Sequence, residues 1–238
     1  MRKCRLGAAL PARNWSPRFR VSQERKPRNA DLGAQNTAVV TYWPSPKCPS
    51  GQERLRHYWH ADMAHLLDAW PWVVSWTAER NPLPIEVDGK QAQFTPDFEV
   101  TERSRTYALR LIRGDEADKA RPRGERRALQ ERYRDLGGEL EFLTRDDVRR
   151  HPHLPLARNL FFYRYHDWPD DLPRQVALVA DSEHPETLGD LHRCLGRERA
   201  TWEQLLSLVA NGHIEIDLDG GLQPSAALLA CRVRGYGA

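Results

Sequence analysis

The 238-residue chain contains no apolar run approaching the ~20 residues that a membrane-spanning helix requires. Its N-terminal basic residues are followed by no apolar segment, so no secretory leader is expected. The four cysteines, Cys4, Cys48, Cys194 and Cys231, form no CxxC pair, which argues against a zinc knuckle. In a chain of this length without a leader they do not read as a disulfide framework, and reduced thiols in the cytoplasm are expected. Internal repeats, low-complexity tracts and an HExxH pair are also missing.

What is present describes a folded protein: 40% hydrophobic residues and eight tryptophans, most of them at core-like spacings. The net charge of +3 is unevenly placed. Residues 1–30 hold nine Lys/Arg against the single acid Glu24, a local charge of +8 that leaves −5 for the rest. Residues 1–50 are rich in Arg, Pro, Asn and Ser and are expected as an extended arm. Two readings of it stay open. Arg18, Arg20, Arg25, Lys26 and Arg28 can contact a polyanion such as DNA, or the arm is a solubilising tail.

Helical spacing begins near Gly51. Leu55, Trp59, Met63, Leu66, Leu67 and Trp70 recur three and four apart on one face, and Pro71 ends the pattern. Strand-like runs follow at 73–79, at 85–87 and 91–94 around the turn signal Asp88-Gly89, at 96–100 and at 106–112. A helix is expected over 124–137, a strand at 139–144, a short helix capped by Asp146 or Asp147, and another helix at 156–165. Together these give a mixed α/β domain over 51–165.

The polar, Pro-rich stretch 166–174 reads as a linker. Helices are then expected at 172–181, 185–195 and 201–210, the last with Thr201 and Gln204 at capping-box spacing. Strands at 213–218 and 228–233 flank a turn at Asp219-Gly220-Gly221. Three helices and a hairpin make a winged-helix pattern for 175–238. Its third helix carries Glu203 and no Lys or Arg, so its exposed face suits a protein partner better than a DNA groove.

The order of elements, and the sequence TPDFEV (95–100) in particular, resembles TnsA, the restriction-endonuclease-fold subunit of heteromeric cut-and-paste transposases. PWVVSWTAERNPL (71–83), LEFLTRDDVRR (140–150), ARNLFFYRY (157–165) and LLSLVANGHIEID (205–217) extend the resemblance over most of the chain. It implies a PD-(D/E)xK restriction-like domain followed by a winged-helix domain, in a bacterial cytoplasmic protein. It also implies DNA (transposon ends), a DDE-type, TnsB-like transposase and an AAA+, TnsC-like ATPase as partners, the ATPase docking on the C-terminal domain.

In such nucleases carboxylates hold Mg²⁺ or Mn²⁺, which activates water, and a lysine orients it. Carried onto this chain, the metal-binding Asp falls on Asp97. The E-x-K positions fall on Arg110 and Ile112, and the helix Glu falls on His60. Arg110 places a permanent cation where a divalent ion would sit, a repulsion of several kcal/mol, on the order of 8 at ~4 Å and an effective dielectric of about 20. Ile112 can carry no proton. The expectation is a pseudo-nuclease that needs no cofactor, with Arg110 paired to Asp97 in place of metal. The alternatives are an active enzyme with a migrated Mg²⁺ or Mn²⁺ site through Asp97, and a stand-alone DNA-binding adaptor. Glu53, Glu99 and Asp62 are the nearest acids for a migrated site; Asp115 and Lys119 read as loop charges. Among the other basic residues, Arg126 and Arg127 are candidates for DNA contact or for a solvated helix face. His57, His60 and His65 suit a helix surface or core better than a metal site, and His151 and His153 suit a loop.

Overall fold

A computed structural model describes residues 41–78, 82–87, 90–113 and 120–232. The first described element is not a helix but a hairpin. β1 (Thr41–Pro44) pairs antiparallel with β2 (Gln52–Leu55), Thr41 opposite Leu55. Residues 41–50 of the arm expected over 1–50 belong instead to this hairpin and its loop, the rest of that arm lies outside the described residues, and the helix expected near Gly51 starts later. The connecting loop is held by main-chain bonds from Ser45 N to Gly51 O (3.0 Å) and from Gly51 N to Cys48 O (2.9 Å). Gly51 has φ +73°, a left-handed conformation that closes the loop and cannot begin a helix.

Helix α1 (Tyr58–Ala69) buries His60, Met63, Ala64, Leu66 and Leu67 and ends at Trp70, before Pro71. It packs on a four-stranded mixed sheet of β3 (Val73–Ala78), β6 (Phe98–Glu102), β7 (Thr106–Ile112) and β8 (Leu140–Thr144), in the order β3-β6-β7-β8. The first two pairings are antiparallel. The pairing of β7 with β8 is parallel, and α2 (Ala120–Asp135) lies in the connection between them. A separate hairpin, β4 (Leu83–Val87) with β5 (Lys90–Phe94), intervenes between β3 and β6; its two turn residues, Asp88 and Gly89, lie outside the described residues. The sheet has two covered faces. Phe98, Val100, Tyr107, Leu109 and Leu111 join the main core with α1, while Ala108 and Leu140 pack with Tyr133 of α2.

Helix α3 (Arg145–Arg149) follows β8 directly. Its N-cap is Thr144, not Asp146 or Asp147 as expected. The Thr144 hydroxyl accepts from Asp147 N–H while the Asp147 carboxylate accepts from Thr144 N–H, the reciprocal arrangement of a capping box. Helix α4 (Leu154–Tyr163) then packs against α1.

The C-terminal part contains α5 (Leu172–Glu183), α6 (Leu188–Leu195), α7 (Trp202–Ala210) and the antiparallel hairpin of β9 (Ile214–Ile216) and β10 (Leu228–Cys231). Capping boxes at Thr187/Asp190 and at Thr201/Gln204 start α6 and α7. At Gly189 a Cβ would lie 2.8 Å from Pro224 O, so only glycine lets α6 meet that segment and donate its N–H there. One apolar cluster runs from Trp43 and Leu66 through Leu160 to Leu206, Ile216 and Ala226, across the 166–174 stretch. Helix α7 buries Leu205, Leu206, Ser207, Leu208 and Ala210, so the partner-facing side expected of it is taken up by packing. A helix apolar on nearly every side belongs inside. Among the described residues, no helix is long and apolar enough to cross a membrane.

Candidate functional site

Strand β6 begins at Phe98, opposite Leu109 on β7. Beyond that point the N–H of Leu111 meets no β6 carbonyl, and the Oδ2 of Asp97 accepts it at 2.7 Å. Asp97 N–H in turn donates to Leu109 O at 2.9 Å. The carboxylate thus extends the ladder by one step, which fixes it at the end of the sheet with 7% exposure. Its other oxygen, Oδ1, accepts from Arg110 Nη1 at 2.9 Å and lies 3.5 Å from His60 Nε2. Arg110 Nη1 also donates to Thr95 O at 3.2 Å, and its guanidinium lies 5.9 Å from the Phe94 ring centre. His60 of α1, Arg110 of β7 and Asp97, just before β6, therefore meet at one atom.

His60 is buried, and burial pushes its pKa down to about 3; His57, Arg110 and Arg56 add to the shift. Its ring is neutral at ordinary pH. With a carboxylate beside Nε2, the proton belongs there, and the buried Nδ1 has no hydrogen-bond partner. Ile112 ends β7 on the Arg110 side of the strand, opposite Thr144 of β8, half-buried and chemically inert.

The donor set does not fit a hard divalent cation. Asp97 is the one carboxylate of the three-residue centre, and both its oxygens are engaged, one of them by a permanently charged guanidinium. Among the described residues, no three His, Cys, Asp or Glu side chains stand together as a metal site. The other acids weighed for a migrated site lie elsewhere or are already occupied. Glu53 is on β2, not on α1, because the helix begins after it. Asp62 faces away from Asp97 and pairs with Arg158 of α4 at 2.6 Å and Arg149 of α3 at 3.9 Å. Glu99 lies two residues along β6, on the Asp97 side of the strand, and is half-buried.

Of the candidate DNA contacts, Arg18, Arg20, Arg25, Lys26 and Arg28 lie outside the described residues, as do Asp115 and Lys119. Arg126 and Arg127 are on α2; Arg127 is 83% exposed and pairs with Glu131 one turn on, at 3.1 Å. The remaining histidines are not a metal cluster. His65 packs edge-on to Trp43 and Phe161, and burial pushes its pKa down to about 4. His153, at the start of α4, meets Asp219 of the C-terminal part at 2.7 Å.

Two groups escaped the sequence reading. Asp68 on α1 accepts from the indole N–H groups of Trp43 and Trp76 (both 2.9 Å), from the Ser45 hydroxyl and from Arg164 Nη2 (2.8 Å). The signal was a carboxylate spaced four apart from the buried positions His60 and Ala64. The second group, Tyr58 and Trp59 beneath Arg145, had no local signal, since its parts come together only through the fold. No known protein-family model and no curated protein sequence matches this chain.

Proposed function

We propose that this protein is a TnsA-like subunit of a bacterial DNA transposition complex whose nuclease centre has been converted into an ion pair. One observation carries the reading: Asp97, Arg110 and His60, the positions assigned by resemblance to the metal-binding Asp, the E-x-K strand and the helix carboxylate, converge on one carboxylate oxygen. The order of α1, three antiparallel strands, α2 and a parallel fourth strand also supports a PD-(D/E)xK restriction-like core. Three helices followed by a hairpin support a winged-helix end.

In this reading the subunit works in the cytoplasm without a metal cofactor. It holds transposon-end DNA together with a DDE-type, TnsB-like transposase, and couples them to an AAA+, TnsC-like ATPase. The 5′ strands stay uncut, and transposition proceeds through a joined, copy-type intermediate. Because α7 is packed away, the ATPase is assigned to the C-terminal part at large and not to that helix.

The test is strand-specific mapping of cleavage on a supercoiled donor plasmid, with the transposase and ATPase encoded beside this protein and divalent metal present. Nicks confined to 3′ ends are the expected result. Nicks at 5′ ends that vanish in Asp97→Ala would overturn it in favour of an active endonuclease. A second arm is the triple variant His60→Glu, Arg110→Glu, Ile112→Lys. Calorimetry should then detect Mn²⁺ binding that the parent chain lacks; a silent triple variant counts against the assigned register.

A further inference from the structure

Strands β7 and β8 run parallel and end together, Ile112 opposite Thr144, so Arg145 emerges beside the Asp97 centre. Its guanidinium lies 4.5 Å from the Tyr58 ring centre and 5.1 Å from that of Trp59, at the start of α1. Arg149, one turn along α3, lies 5.3 Å from the same Tyr58 ring. The aromatic faces hold the two guanidinium groups as fixed planes. The patch continues inward without a gap. Trp59 stacks on His57 at 4.2 Å, His57 meets His60 edge-on at 5.1 Å, and His60 touches Asp97.

The charge of this patch is not balanced. Arg145 has no carboxylate within ion-pair distance among the described residues, and its Nε is buried without a hydrogen-bond partner. Among the described residues, the acid nearest Arg149 is Asp62 at 3.9 Å, whose closer partner is Arg158. The first turn of α1 contains no acid and its N-cap side chain makes no capping bond, so the positive end of the helix adds to the same field. Arg56 and Arg110 both press the His57 pKa down from this side, after burial. Asp147 is engaged in capping α3, which leaves the exposed Asp146 as the one uncommitted acid of that short helix. Tyr58, 51% exposed, offers a hydroxyl and ring edge to whatever approaches.

We infer that Arg145 and Arg149, braced on Tyr58 and Trp59, form a clamp for nucleic-acid backbone phosphates next to the Asp97 centre. This rests on the proposed function and sharpens it. The strand that an active relative would cut is held here in place without being cut. An extended polyanion fits this site better than a lone anion, because two guanidinium groups one helical turn apart can each face a phosphate. Arg is suited to that contact by its planar, bidentate donors.

The experiment is fluorescence anisotropy with a short labelled DNA duplex of arbitrary sequence, titrated with the full chain across a range of salt. The double variant Arg145→Ala, Arg149→Ala should bind roughly tenfold more weakly, and the slope of log affinity against log salt should fall by about 2, close to one unit per lost phosphate contact. Arg145→Lys with Arg149→Lys should recover most of the slope and less of the affinity. An Arg174→Ala control, on α5, should change neither. If the double variant keeps the parent's slope, the clamp is wrong while the DNA-binding reading stands. If it loses affinity for an acidic peptide but not for DNA, the patch serves a protein and the inference is overturned. If the parent chain binds no duplex at all, both the clamp and the proposed function fail. Thermal melts of each variant, unchanged within a degree or so, separate these outcomes from unfolding.

Discussion

Asp97 and Asp68 are both buried acids answered by an arginine, yet their surroundings differ in kind. Asp68 is closed on every side: two indoles, a hydroxyl and Arg164 share its oxygens, and the Asp68 and Arg164 side chains are 5% and 7% exposed. Arg164 also ties the hairpin to α4 through Pro44 O at 2.5 Å. Asp97 is answered by Arg110, whose side chain is 41% exposed. A cationic aromatic patch adjoins it. Asp68 is a structural joint between β1, α1, β3 and α4. Asp97 stands at the end of the sheet, where its carboxylate accepts from Leu111 N–H and from the part-exposed Arg110. Burial of a carboxylate alone does not separate the two; the exposure of the arginine that answers it does.

The sharpest way to break this contrast is to remove the closed acid. Asp68→Ala leaves Arg164 buried without a counter-charge and strips two indoles of their acceptor. The expected loss is about 3–5 kcal/mol of stability, a large share of what a domain of this size has. Urea denaturation followed by tryptophan fluorescence would measure it, since Trp43 and Trp76 report on the same locus. A loss no larger than that of a surface substitution would mean that Asp68 is not the joint described.

Acid should act on both regions at once, through histidines that burial keeps neutral. His60 beside Asp97 and His65 beside Asp68 have folded pKa values of about 3 and about 4, against 6.5 for the ordinary group. The unfolded chain therefore takes up these protons first. The stability carried by the neutral rings is complete above about pH 6.5 and is lost as pH falls toward the folded values. Near pH 5 the expected loss is about 2 kcal/mol per histidine. Melting curves from neutral pH down to about pH 5 would show it. His65→Gln should remove the share belonging to the Asp68 region, and His60→Gln the share belonging to the Asp97 centre. A pH profile unmoved by either substitution would show that neither ring resists protonation as its burial implies.

The Asp97 centre was more legible than the Asp68 joint for a physical reason. Strand pairing has a period of two and a fixed register, so TPDFEV and TYALRLI bring Asp97 and Arg110 together once they are read as neighbours. The capping box at Thr201 was legible because it is wholly local. The β1–β2 hairpin was not, since TYWP and QERL are too short to show alternation and are anchored by distant groups: Trp43 by Asp68, and Lys47 by the carbonyls of Leu67 and Trp70. The burial of α7 could have been read. Leu205, Leu206, Leu208, Val209 and Ala210 leave little room for an exposed face, and only the winged-helix expectation suggested one.

The mildest test acts on the open acid. Asp97→Asn keeps an oxygen to accept the Leu111 N–H and keeps the side-chain volume, so the ladder between β6 and β7 survives. What it removes is the charge facing Arg110, whose exposure lets water screen the pair. The expected cost is about 1 kcal/mol, well below that of Asp68→Ala. If the two substitutions cost the same, Asp97 is as much a structural joint as Asp68, and the idea that it marks an erased catalytic centre loses its physical support. If Asp97→Asn is neutral or stabilising, the ion pair is a remnant that the fold tolerates. A difference in DNA affinity between Asp97→Asn and the parent chain, measured at low salt, would then decide whether the pair serves the proposed phosphate clamp.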